Sequence, residues 1–294
     1  MRTILSTAAF VAVLSTSAFH PEAKPLHAGL NYRRYLEERN QTLERFERWR
    51  ESAAGKQAFD LKLIPVMESR SADAVEDQLQ RFAMTEQSIE KLRALNPEAN
   101  FSTDSPFTIM TDEEFKDYVA EGWATSEAPM VEHKFEADRD GETVVDWSQT
   151  GCVGRVKGQG KCGSCWAFGT IAAVEAGYCL RNNRQLVHFA DQQVTSCTEN
   201  GCKGGFPQNS LSYIMRNGLC TEDVYPYRQC RRTNLNIRQV VRVPQSEQAL
   251  ENAVRGRPVA VGLAAGNSAW KQYQSGVLST CTSTQLDHVV LVYG

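Results

Sequence analysis

The chain has 294 residues, a net charge of −3 and nine cysteines. That length supports one substantial core or two small domains, and the near-neutral balance argues against a nucleic-acid partner or an anionic membrane surface. An odd cysteine count fits one reactive thiol among paired ones, and no cysteine precedes Cys152. Residues 1–18 read as a signal peptide: Arg2 gives the positive start, Ile4 to Leu14 the apolar middle, and Thr16-Ser17-Ala18 the small residues before a cut at Ala18. The apolar run is too short to span a bilayer. No other long apolar run follows, so no membrane span is expected, and secretory entry permits disulfides.

The next stretch, residues 19–140, is charged and helix-prone. Asn31 to Glu51 places Tyr32, Tyr35, Leu36, Leu43, Phe46 and Trp49 roughly on one stripe, and Asp73 to Leu95 does the same with Val75, Leu79, Phe82, Ile89, Leu92 and Leu95. Pro97 limits the second helix. Two glycosylation sequons begin at Asn40 and Asn100. Residues 124–143 are rich in charge and short of large apolar groups, as a linker would be.

The chain then reaches Gln159–Phe168, Q-G-K-C-G-S-C-W-A-F. Cys165 opens an apolar run to Leu180 that carries Trp166, Phe168, Ile171, Val174 and Tyr178, which predicts a buried helix. Cys165 would lie in its first turn, where unpaired N–H groups and the positive dipole end favour a thiolate. A C-x-x-C pair also suits a thioredoxin-like redox site, or half of a zinc site completed by Cys197 and Cys202. A redox pair should follow a strand, however, and here a glycine-rich loop, Gly151 to Gly160, precedes it. In a secreted chain the thiols of such a zinc site would more readily be oxidised. Cys-Gly-Ser-Cys-Trp resembles the signature of the papain/cathepsin cysteine peptidases. The resemblance, to a precursor of that family, covers roughly residues 42 to 294 and is strongest from Val144 to Pro207.

The resemblance implies an α+β, two-lobed papain-like fold, with a helical left lobe and an incomplete β-barrel right lobe, preceded by a helical pro-region. The domains would be 1–18 signal peptide, 19–140 inhibitory pro-region and 141–294 peptidase. Phe46 and Trp49, then Asp77, Arg81, Leu92 and Asn96, occupy places of the family's inhibitory segment, while Thr85 and Ser88 depart from it. Phe107, Met110, Thr111, Glu114 and Phe115 resemble its second, smaller motif, with Ile109 where an acid is usual. The pro-region would then inhibit in cis until a cut between Asp138 and Val145. Gln159, six residues before Cys165, would donate with the Cys165 N–H to the oxyanion of the tetrahedral intermediate. Gly204 and Gly205 would let a substrate backbone approach, with Phe206 and Pro207 lining a pocket that Gly262 leaves roomy. Leu286 and Asp287 complete the expected substrate-binding set. The implied bridges are Cys162–Cys202 and Cys197–Cys230. Cys281 would pair beyond residue 294, and the pairing among Cys152, Cys179 and Cys220 stays open. No metal or cofactor is expected, and the protein should be a monomer in a secreted, lysosome-like or vacuole-like setting that acts on proteins or peptides.

Val240 to Val243 and Val259 to Leu263 read as strands. Of the five histidines, His288 stands in the right context, 123 residues after Cys165 in an apolar strand. A thiolate and an imidazolium favour each other's charge, so Cys165 and His288 suit nucleophile and general base. The family's third member, an Asn that orients the imidazole, is missing: six residues follow His288 and none is Asn. The expectation is a chain continuing past Gly294. The competing reading is a papain-fold protein with impaired catalysis that binds or inhibits other peptidases, and a disulfide oxidoreductase is the third.

Overall fold

A computed structural model describes residues 25–63, 72–120, 131–132, 145–225, 233–280 and 283–294. The proposed signal peptide, the cleavage segment 138–144, Cys230 and Cys281 lie outside the described residues. The N-terminal half is helical. Helix α1 (Tyr32–Glu51) starts at Asn31, whose side chain accepts the Arg34 N–H. Ser52 ends α1 by donating its N–H to the Arg48 and Trp49 carbonyls, and its hydroxyl accepts the Gly55 N–H to cap α2 (Ala53–Asp60). Gly55 is obligatory at this corner, because a Cβ there would meet the Trp49 carbonyl at 2.2 Å.

Helix α3 (Ala72–Leu95) packs on α1 through Phe46, Trp49 and Phe82, whose ring centroids lie 5.6 to 6.1 Å apart. These residues come from the two stripes of the sequence, now turned onto each other. Arg81 of α3 pairs with Asp77 at 2.8 Å and reaches Glu114 of α4 (Asp112–Ala120) at 2.6 Å. Ile109, at the position where the family resemblance expects an acid, is fully buried in this core.

In the C-terminal half, a short 3₁₀ turn (Trp147–Thr150) precedes α5 (Cys165–Arg181), α6 (Asp191–Cys197) and α7 (Pro207–Asn217). Helices α8 (Glu247–Gly256) and α9 (Ser268–Gln272) follow. Trp166, Ile171, Phe189, Val194 and Ile214 form the core around α5. The strands are β1 (Ala99–Phe101), β2 (Val131–Glu132), β3 (Val241–Arg242), β4 (Val259–Leu263), β5 (Tyr273–Gly276) and β6 (His288–Val292). Among the described residues they form three two-stranded pairings: β1–β5, β2–β3 and β4–β6. The α+β class holds, and the second lobe's barrel is incomplete among the described residues, as the resemblance implied. At the strand edges, β5 and β3 pair with β1 and β2 of the N-terminal half.

The two halves are therefore stitched together by backbone. Ala99 pairs with Gly276 and Asn100 with Ser275, the Ser102 N–H donates to the Gln272 carbonyl, and Asn96 Oδ1 accepts the N–H groups of Ser279 and Thr280. Ile89, Leu92 and Phe101 pack against Ala269 and Leu278 beneath these bonds. Asn40 and Asn100 are both exposed, and Asn100 Nδ2 donates to Ser275 Oγ across β1–β5.

Two disulfides have both cysteines among the described residues. Cys152–Cys179 fastens the start of the glycine-rich loop to α5, and Cys162–Cys202 fastens its end to the loop before α7. The expected Cys197–Cys230 bridge is corrected. Cys197 is an exposed, unbridged thiol at the end of α6, 3.6 Å from the Tyr225 hydroxyl. The oxidised cysteine of this region is the buried Cys220.

Gly276 lies at φ +93°, and a Cβ there would meet the Glu98 carbonyl at 2.1 Å. Gly276→Ala should cost about 1–3 kcal/mol and lower the thermal midpoint of the whole chain by several degrees. An unchanged midpoint would contradict a rigid β1–β5 seam.

Candidate active site

The site forms where β6 crosses the first turns of α5. An apolar helix face and an apolar strand bury each other here, and Gly169 permits the close approach: a Cβ at that position would lie 2.8 Å from Val289 Cγ1. Cys165 is the first residue of α5, 1% exposed and reduced. Its cap residue, Ser164, makes no side-chain capping bond. The Val289 N–H, from across the contact, and the Trp166 N–H, at the helix start, both favour the thiolate form of the sulfur. The Val289 N–H belongs to the residue that follows His288, so the strand carrying the imidazole lies directly on the thiol.

Burial raises the Cys165 thiol to about 11, outweighing the Val289 and Trp166 N–H groups, and the Asp287 charge pushes the same way. Burial lowers the His288 imidazole below its ordinary value, against a smaller upward pull from Asp287. His288 Nδ1 is buried without a hydrogen-bond partner among the described residues. In this state both groups are neutral at pH 7, a thiol and an imidazole rather than an ion pair.

Asp287 is fixed by main chain. Its carboxylate accepts the Ala265 N–H at 2.7 Å and the Gly266 N–H at 3.0 Å, and its own N–H donates to the Leu263 carbonyl. It thus clamps the β4–α9 loop onto the strand that presents His288. In the β4–β6 register Leu263 faces His288 and Gly262 faces Val289. Leu286 is 40% exposed.

Opposite β6, Gly205 lies flat on Trp166, where a Cβ would come within 2.7 Å of the indole. Gly204 takes φ +84°, donates its N–H to the Gly163 carbonyl and receives Asn200 Nδ2 on its own carbonyl. Phe206 is buried at the start of α7, and Pro207 is that helix's first residue. Gln159 Nε2 donates to the Cys162 carbonyl at 3.0 Å. Because Cys162 is bridged to Cys202, it is not the partner of Cys165 in a redox pair or a zinc site.

Sequence reasoning missed a buried ionic cluster behind α5. Lys157 Nζ reaches Asp191 Oδ2 at 2.8 Å and Glu175 Oε1 at 3.0 Å, Glu175 also accepts the Phe189 N–H, and His188 Nδ1 lies 3.5 Å from Glu175 Oε2. The signal was present: Glu175 is the one acid in a buried helix, and such a charge needs a cation. This cluster fastens the loop that carries Gln159 to α5 and α6.

A family model described as "Papain family cysteine protease" matches residues 142–294. The rice cysteine endopeptidase Rep1 is 39% identical over 181 residues, 56% of this chain and 48% of that one. The cathepsin L-like proteinase of Fasciola hepatica is 35% identical over 207 residues, 64% of this chain and 63% of the relative. The structure of the ragweed pollen allergen Amb a 11, a cysteine protease in its proform, superposes with a TM-score of 0.66 at 26% identity. That match covers 91% of this chain and 83% of the allergen. The fold is therefore that of a cysteine protease in its proform. The chain belongs to the papain family of cysteine proteases, and it spans about half the length of the curated plant relatives it matches.

Asp191 supplies a pH prediction. Its side chain is 7% exposed, and burial holds its carboxyl at about 6 despite Lys157. Between about pH 4 and 6 the folded chain keeps a proton that the unfolded chain has released, so this group's contribution to stability falls as pH rises through that window. Relative to Asp191→Asn, the wild type should lose about 2 kcal/mol of unfolding free energy between pH 4 and pH 7, read from urea midpoints. A wild-type advantage that grows with pH would contradict the assignment.

Proposed function

We propose that the chain is the precursor of a secreted or vacuolar cysteine endopeptidase, with Cys165 as nucleophile and His288 as general base and acid. One observation supports this above the others: a buried, reduced thiol at a helix N-terminus lies against the N–H of the residue after a half-buried histidine, whose Nδ1 is buried with no hydrogen-bond partner among the described residues. Once ionised, Cys165 attacks the peptide carbonyl, with its proton on His288. The imidazolium then protonates the leaving amine, and water, activated by neutral His288, releases the acyl group from sulfur. The Cys165 N–H and Gln159 are the oxyanion donors in this reading. The substrate lies between the Gly204–Gly205 ledge, with Phe206 and Pro207, and the β4–β6 side, where Gly262 and Leu286 stand.

The N-terminal half, residues 19–140, acts as the inhibitor in cis, and cleavage between Asp138 and Val145 releases it. The backbone pairings β1–β5 and β2–β3 and the proform neighbour favour this reading. Two disulfides favour an oxidising compartment. No helix among the described residues is long and apolar enough to cross a membrane.

A thiol near 11 leaves only about one molecule in ten thousand as thiolate at pH 7. An epoxide that alkylates thiolates should therefore label Cys165 in the intact precursor at least about a hundredfold more slowly than after acid processing of the full-length protein. Cys165→Ala should abolish labelling and peptide hydrolysis, and His288→Ala should cost at least about a thousandfold in kcat. Absence of labelling in the processed protein would sink the peptidase reading and favour a papain-fold binder. Insulin reduction dependent on Cys165 would favour the oxidoreductase.

A further inference from the structure

Helix α9 carries a buried cation that catalysis does not use. Lys271, in α9, is 5% exposed. Its ammonium donates to the Met110 carbonyl at 3.0 Å and to Asp112 Oδ1 at 2.6 Å. Both partners belong to the N-terminal half, and among the described residues no group of its own half bonds to it. Burying an ammonium is costly unless it is paired, and here the neutralising carboxylate is on the segment proposed to leave. Asp112 itself stays about half exposed, with a side chain 54% accessible. The lysine is thus the covered member of the pair, and the acid arrives from outside.

The position of this pair follows from α4. Asp112, at its first turn, sits on Lys271, and Lys116 packs on Gly266, where an added Cβ would lie 3.1 Å from Lys116 Cα. Four helical residues advance about 6 Å. Gly266 donates its N–H to Asp287, the neighbour of His288. The ammonium is therefore about one helical turn from the loop that Asp287 clamps, on the His288 side of the thiol. The peptidase reading, on which this inference rests, requires His288 to protonate the leaving amine. Residues downstream of the cut must then pass over this side.

We propose that Lys271 is a specificity-determining residue that selects substrates with an acidic side chain downstream of the scissile bond. When the pro-region departs, the Met110 carbonyl and the Asp112 carboxylate depart together, and Lys116 leaves with them. Asp287, the acid that clamps the adjoining loop, is already held by the Ala265 and Gly266 N–H groups. A substrate peptide can replace both lost partners, its main-chain carbonyl standing for Met110 and a Glu or Asp side chain for Asp112. A Lys or Arg at the same place meets like charge.

The test uses the processed full-length protein and peptide pairs that differ only by Glu or Gln at each of the first three positions after the cut. The wild type should prefer Glu at one of them by about tenfold in kcat/KM at low salt, and the preference should shrink as salt rises. Lys271→Gln should erase the preference while leaving turnover of the Gln peptides within about twofold. Lys271→Glu, made together with Asp112→Lys so that the precursor keeps an ion pair, should reverse it toward Lys. The wild-type ratio is readable even if a variant fails to fold. Equal cleavage of Glu and Gln peptides at all three positions, or a preference that survives Lys271→Gln, overturns this proposal alone. If no peptide is turned over at all, the peptidase reading fails and this proposal with it.

Discussion

The N–H of Val289 on the sulfur of Cys165 is the contact on which the rest of the site depends. It exists because α5 and β6 bury apolar faces against each other and because Gly169 leaves no side chain between them. The strand's alternation then sets the chemistry. Val289 turns inward to the core, His288 opens the strand beside it, and Asp287, one residue earlier, clamps the β4–α9 loop. Helix dipole, N–H donors and desolvation act together on one sulfur. In this state desolvation wins at both groups, raising the thiol and lowering the imidazole, so both are uncharged at pH 7.

The N-terminal half is joined to the C-terminal half by main-chain pairing more than by side-chain matching. Two of the three strand pairings cross between halves, and Asn96 and Ser102 add further bonds to backbone at residues 272–280. Backbone bonding also accommodates Thr85, one of the departures from the family's segment: it is buried, and its hydroxyl donates to the Thr108 carbonyl. The ionic cluster of Lys157, Glu175 and Asp191 does the corresponding work inside the C-terminal half, fixing the glycine-rich loop to two helices.

Much of this was legible in the residues. The two stripes of apolar residues predicted α1 and α3 within a residue at each end, and the run after Cys165 predicted α5. Helices α2, α8 and α9 escaped because they are short and their boundaries rest on caps, Ser52, Ser246 and Asn267, rather than on periodicity. Strand propensity says nothing about which neighbour occupies an edge, so the β1–β5 and β2–β3 pairings could not be read from the residues. Cysteine pairing followed the same rule: spacing could not choose a partner for Cys152, whereas the fold brings it to Cys179 on α5. Cys197 sits at an exposed helix end with a hydroxyl for a neighbour, a circumstance invisible in the spacing. Lys271 carried no signal of its own, since its partners lie some 160 residues earlier, at sequence separations of 161 and 159.

The central claim is that a single thiol and a single imidazole share one reaction space. A dihaloacetone, which alkylates a thiol and then a second nucleophile within a few ångströms, tests it most directly when followed by peptide mass spectrometry of the processed protein. The account predicts one intramolecular bridge, joining the peptides that contain Cys165 and His288. Stoichiometric modification of Cys165 with His288 left untouched, or a bridge from Cys165 to any other residue, would contradict it.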